Sequence, residues 1–178
     1  MKKILLAFLM IAPLSIMAQV KFAHFNSADI IPNMKEYTAA QTEIQNMQKQ
    51  YADDLKLMQD ELQKKYEDYQ KEASNLLEGV RLRREQELNE LGQRYQQSLQ
   101  DSETALQKAT QEKMGAIGEL VMAAVKKIGE NNNYIYIIDL STGSVSFVNP
   151  ALSTDITDIL KKELGITGNE LINATPAK

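Results

Sequence analysis

Few residues in this chain could do chemistry, and their types narrow what that chemistry is. The 178-residue sequence has no cysteine and one histidine, His24. A thiol nucleophile, a disulfide framework and a Cys/His zinc site are therefore excluded. His24 lies in a short alternating stretch with no nucleophile–carboxylate arrangement around it, so its ordinary role is structural. Acid pairs such as Asp53 and Asp54 fall on a charged helical stretch, where solvation is the default, and no glycine-rich phosphate loop is present. The chain is accordingly read as non-enzymatic, with no cofactor and no metal. What remains is binding chemistry. Met47, Tyr51, Met58, Tyr66 and Tyr95 recur at helical spacing. Flexible thioethers and tyrosine rings of this kind either pack helices together or offer contact area to irregular apolar partners. Arg81, Arg83 and Arg84, interrupted by Leu82, form a basic cluster that could meet an anion or simply be solvated.

These residues are carried by one stretch, 34–130, that contains no proline and is rich in Gln, Glu, Lys, Leu and Ala, all good helix formers. In its first part Ile44, Met47, Tyr51, Leu55, Met58, Leu62, Tyr66 and Tyr69 follow steps of three, four and four. That eleven-residue repeat predicts straighter arms than strict heptads would. The second part repeats the rhythm with Leu88, Leu91, Tyr95, Leu99, Leu106, Ile117, Val121 and Ile128. Ser102, Thr110 and Lys113 fall on its apolar positions, where the arms could separate. The pattern slips near residues 74–83, which are read as the tip of a hairpin folded about residue 80. Tyr69 then faces Leu91, Leu55 faces Ala105, and Tyr51 faces Ala109. A continuous rod would hold the flanking β segments roughly 100 Å apart at ~1.5 Å per residue, leaving each strand without a partner.

Those segments are 20–25, around Phe22 and Phe25, and 134–139, around Ile135 and Ile137. A third, 144–148, alternates through Val145 and Phe147 and reads as a returning strand after the turn at Gly143. Ser27 or Asp29 is expected to cap a short turn before Pro32. Asn131, Asn132 and Asn133 are expected to stop the second arm. A closing helix is predicted after Asp155, its buried face built from Ile156, Ile159, Leu160 and Leu164, ending at Gly165. Three short strands and one helix cannot bury a core alone, so strands from several subunits are expected to close a shared β structure through Phe22, Phe25, Ile135, Ile137, Val145 and Phe147.

The first 18 residues have a Lys2-Lys3 start, an apolar run and Ile16-Met17-Ala18 before Gln19, the pattern of a signal peptide cleaved after Ala18. Its loss leaves 18 basic and 24 acidic residues, a balance that argues against nucleic acid as a partner. Residues 167–178 show little periodicity and read as a flexible tail.

Taken in order, the sequence resembles the Skp/OmpH family of periplasmic chaperones. The residues that carry the resemblance are Lys21-Phe22-Ala23-His24-Phe25-Asn26-Ser27, the long charged helical stretch, Tyr134-Ile135-Tyr136-Ile137-Ile138-Asp139, Phe147-Val148-Asn149-Pro150, and Asp155-Ile156-Thr157-Asp158. It implies an α+β fold in which a β body (19–33 and 131–166, with the closing helix) makes a barrel between three subunits of a homotrimer. Residues 34–130 would project from it as a helical hairpin. The implied function is an ATP-independent periplasmic holdase that keeps unfolded outer-membrane proteins from aggregating in a cavity between the arms. The sequence departs from that family's basic arms: residues 34–78 hold 6 basic and 10 acidic residues, which argues against lipopolysaccharide or anionic-membrane contact. The competing reading is an exported coiled-coil scaffold of the envelope.

Overall fold

The computed structural model describes residues 20–166; the expected signal peptide and tail lie outside them. Strand β1 (Lys21–Phe25) leads through two short 3-10 turns into helix α1 (Lys35–Glu72). A break at 73–77 is followed by helix α2 (Glu78–Asn132). Strand β2 (Tyr134–Asp139), strand β3 (Ser153–Asp155) and helix α3 (Thr157–Glu163) complete the chain. The stretch is therefore a hairpin. Its helices of 38 and 55 residues run about 57 and 82 Å at ~1.5 Å per residue.

The hairpin acts as the crossover between two parallel strands. β1 pairs with β2 on one side and β3 on the other, both parallel, giving the order β2-β1-β3. Parallel neighbours cannot be joined by a tight turn, and the two long helices supply the connection. Two expectations about the path of the chain are corrected here. The segment 144–148 is not a strand; the third strand is Ser153–Asp155. The reason lies in the turn after β2. The Asp139 carboxylate accepts the Ser141 amide, Thr142 Oγ1 donates to the Asp139 carbonyl, and Gly143 takes a left-handed φ of 66°. The chain is thus led away from β2 instead of back along it.

The turn of the hairpin is the second correction. Tyr69 meets Glu85, not Leu91, and Lys113 meets Glu43, so the fold axis lies near residue 77 rather than 80. Leu76 and Leu77 are extended, with ψ of 143° and 144°. The Leu77 carbonyl then accepts the amides of Val80 and Arg81, which starts α2 at once. Glu78 in that first turn suits the positive end of the helix. Gly79 to Arg84, expected at or beside the tip, are the first turns of α2.

Packing is concentrated at the base. Ile30, Met34, Ile156 and Leu160 are fully buried, together with Ala23 and Phe25 of β1 and Ile117, Val121, Val125 and Ile128 of α2. The second arm ends as its asparagines require: Asn133 adopts φ 56°, ψ 42° and its amide donates to the Gly129 carbonyl. The first 3-10 turn is capped by Asn26, whose side chain accepts the Ala28 amide, not by Ser27 or Asp29. Asp155 does accept the Thr157 amide and hydroxyl ahead of α3, at 2.8 and 2.6 Å. Of the face expected for the closing helix, Ile159 is exposed, while Leu160 within α3 and the flanking Ile156 and Leu164 face inward. The base is also tied by Asp139, which accepts the Ser27 hydroxyl at 2.6 Å and its amide at 3.1 Å.

Candidate functional site: a groove between the arms

Beyond the base the two helices are held at intervals and not packed throughout. Lys113 Nζ reaches Glu43 at 2.6 Å nearer the base. Near the tip Lys65 pairs with Glu87, and the Tyr69 hydroxyl donates to Glu85 at 2.5 Å. The hydrogen bond from Lys65 and its charge hold the Glu87 carboxyl below the usual range. The bond to Glu85 chiefly, then burial, pushes the Tyr69 phenol up. Between these clasps the seam is incompletely closed. Leu55, Met58 and Leu62 of α1, with Tyr95 and Leu99 of α2, are only partly covered, and just Leu91 and Ser102 are buried. The polar interruptions are satisfied locally: Ser102 Oγ donates to the Ser98 carbonyl at 2.6 Å and Thr110 Oγ1 to that of Leu106 at 2.8 Å. Such back-bonding lets a helix bury a hydroxyl without a partner from the other arm.

The half-open seam leaves a groove of about 1220 Å³ between the helices. Leu62, Tyr66, Tyr69, Leu88 and Leu99 form its apolar lining. Gln59 and Gln63 of α1, with Asn89, Gln93, Gln96 and Gln100 of α2, supply amide side chains around them. In a chain with 25% charged residues, the only charged lining residues are Glu85 and Glu103, and Glu85 is engaged by Tyr69. Gly92 is also part of the lining, and a Cβ placed on it would meet nothing within 4 Å.

The expected binding residues are thus only partly brought together. Tyr66 lies in the groove and is half-exposed; Met47, Tyr51, Met58 and Tyr95 are spread along the seam outside it, half-covered by the opposite arm. The glutamines were missed, although their signal was present. Asn89, Gln93, Gln96 and Gln100 step by four, three and four, which places them on one face of α2 beside the seam. Arg81, Arg83 and Arg84 sit on the first turns of α2, and Arg84 is drawn to Glu87 at 3.6 Å.

The six residues expected to join subunits divide between two environments. Phe25 is buried in the chain's own core, Ile137 packs against that core and Val145 is half-covered. Phe22, Ile135 and Phe147 are exposed. In β1 the division follows the period-2 alternation of strands: Ala23 and Phe25 point inward, which turns Phe22 and His24 the other way; in β2 the register shifts between Tyr134 and Tyr136, which puts Ile135 out of phase with Ile137. Phe22 stacks on exposed Tyr136, with ring centroids 6.2 Å apart and planes 1° from parallel. His24 Nδ1 lies 2.8 Å from Ser153 Oγ. The single-chain sheet is open, with β2 and β3 as its edges. Among the described residues no group of three acids or histidines could hold a metal, and no helix is long and apolar enough to cross a membrane.

Comparison with known proteins agrees with this architecture. A crystal structure of a provisionally assigned OmpH-like outer membrane chaperone from Caulobacter crescentus CB15 superposes with a TM-score of 0.70, covering 82% of this chain and 83% of that one at 14% identity. No curated protein matches by sequence. The family model for OmpH, described as outer membrane protein (OmpH-like), matches residues 21–164. That span takes in the strands, both arms and the closing helix, and the chain belongs to the OmpH-like outer membrane protein family.

Proposed function

We infer that this protein is an ATP-independent holdase chaperone of the periplasm, which binds unfolded outer-membrane proteins between helical arms and keeps them from aggregating. The observation that carries this reading is the contrast between a closed base and unclosed arms. The large apolar cluster lies at the base, while along the arms Leu55, Met58, Leu62 and Leu99 are only partly covered and Tyr66 is 51% exposed. A strut would be expected to close its seam; a surface for many weak contacts has to leave it accessible. Several such contacts in one enclosure raise the effective concentration of client, so a polypeptide that no single site retains is held by their sum.

A homotrimer supports this enclosure. The Phe22–Tyr136 stack, Ile135 and Phe147 are apolar groups left uncovered, and unpaired sheet edges are liabilities that association removes. Three chains closing their sheets into a barrel would place three hairpins around a central space. The Lys2-Lys3 start, apolar run and Ala18 site support export with cleavage after Ala18.

The deciding experiment is dilution of a urea-unfolded outer-membrane protein into buffer with and without the purified protein, followed by light scattering. A holdase suppresses the scattering without nucleotide. Unchanged aggregation sinks the reading and leaves the exported coiled-coil scaffold in its place. Shortened arms, lacking most of residues 44–116, are expected to lose the effect.

A further inference from the structure

We propose that the amide-lined groove reads the main chain of its client: Gln59, Asn89, Gln93, Gln96 and Gln100 hydrogen-bond the peptide groups of one extended segment, while Leu62, Tyr66, Leu88 and Leu99 receive its alternate side chains. This rests on the holdase reading and gives it a recognition chemistry.

Three observations carry it. The first is the donor–acceptor inventory. A primary amide offers donors and an acceptor together, as a peptide group does, whereas charged side chains would select among clients by sign. Gln63 and Gln97 give a donor to Glu67 and Asp101 on their own helices. The other amides of the groove make no side-chain hydrogen bond to the described residues and are free for a ligand. The second is length. Residues 85–103 of α2 bound the groove, about 27 Å at ~1.5 Å per residue. An extended chain at ~3.3 Å per residue places about eight residues there, close to the ~9–11 of one membrane-spanning β-strand. Such strands also alternate apolar and polar side chains, which suits an apolar floor between polar walls. The third is Gly92. Glycine inside a helix costs stability relative to alanine, and no packed neighbour requires it here. Its effect is to leave the floor of the groove open.

The consequence is selectivity for conformation and a release that needs no fuel. A helical segment has already satisfied its amides and carbonyls internally and offers the groove nothing. A client strand does offer them until it pairs within its barrel, and that pairing withdraws the groups the glutamines hold.

The test uses two fluorescein-labelled ten-residue peptides of alternating Val and Thr with lysine ends, one of them N-methylated at four residues, two on each strand edge. Binding to the purified protein is read by fluorescence anisotropy. The unmethylated peptide is expected to bind at least about tenfold tighter, ~1.4 kcal/mol. Gly92→Leu, which fills the floor and removes a helix-interior glycine, is expected to abolish binding with no loss of thermal stability. A Gln93→Met/Gln96→Met/Gln100→Met variant keeps side-chain length and gains apolar surface. It is expected to bind at least about tenfold more weakly. Equal binding of the methylated peptide, or undiminished binding by either variant, overturns the proposal. Aggregation suppression by the unaltered protein is run in parallel. Suppression without peptide discrimination removes main-chain reading and leaves the holdase standing, whereas no suppression removes both.

Discussion

Truncating one leucine in the base and one in the arm tests the packing gradient on which the functional reading depends. Leu160 of α3 has no exposed surface and packs into the cluster formed by Ile30, Met34, Ile156 and the last turns of α2. Leu160→Ala removes buried methyl groups and leaves a cavity, because parts of two strands and two helices converge there and cannot all follow the missing atoms. The expected cost is about 2–5 kcal/mol. Leu62 is only partly covered in the apolar lining of an open groove. Leu62→Ala forfeits only the area already taken from water, at ~25 cal/mol per Å², and leaves no enclosed void. About 1 kcal/mol is expected. Urea unfolding followed by far-UV circular dichroism, at one fixed protein concentration so that association contributes equally, reads both. Hydrogen exchange adds a second measure: amides of α2 around Val121–Val125 should exchange far more slowly than those around Gln93. If Leu62→Ala costs as much as Leu160→Ala, the arms are as tightly closed as the base and the accessible seam does not exist.

Three further outcomes follow from particular contacts. Burial pushes the Asp139 carboxyl up, but its hydrogen bonds from Ser27 and Ser141 outweigh that and hold it below the ordinary value, while the Thr157 hydroxyl and amide lower Asp155. Carboxyls depressed in the folded state stabilise it above their unfolded pKa of ~3.9 and lose that contribution as pH falls towards the folded value; thermal midpoints should drop across that acid window, and Asp139→Asn should flatten the drop. Asn133 caps α2 with positive φ, so Asn133→Val should cost about 1–2 kcal/mol in urea unfolding, whereas Asn133→Gly should be nearly neutral. Phe22→Arg places a charge in the exposed aromatic stack without touching the buried core, and light scattering should then report a smaller assembly than the unaltered protein; an unchanged mass would exclude this face from the subunit contact.

Much of the fold could be read from residue types and spacing. The three- and four-residue steps from Ile44 to Tyr69 announce a helix, because only one helical face meets the seam. The asparagines at 131–133 mark its partner's end, since Asn tolerates the left-handed conformation found at Asn133. The two strands at 20–25 and 134–139 imply the hairpin, because strands need partners. The register of the arms was less legible. Folding about residue 80 sets Tyr69 against Leu91, whereas the turn, with Leu76 and Leu77 extended, lets α2 begin at Glu78 and sets Tyr69 against Glu85. The strand pairing was also beyond local pattern. Residues 144–148 alternate well, yet the edge of β1 accepts Ser153–Asp155, a segment with no apolar pattern, because Ile156 and Leu160 draw it into the core.

The candidate site shows the same division. Residue types alone excluded a thiol nucleophile and a Cys/His zinc site, and the methionines and tyrosines on the seam of long helices pointed to contact with partners. The same composition could have served a closed coiled coil or an open pair of arms. Only the tertiary structure decided between them, by placing the clasps at Glu43–Lys113 and Lys65–Glu87 with a half-covered seam between. It also decided which side chains meet there, setting Gln59 across from the amides of α2. The physical reason is that periodicity specifies a face of a helix, whereas the distance between two faces depends on where the chain turns and what holds the arms together.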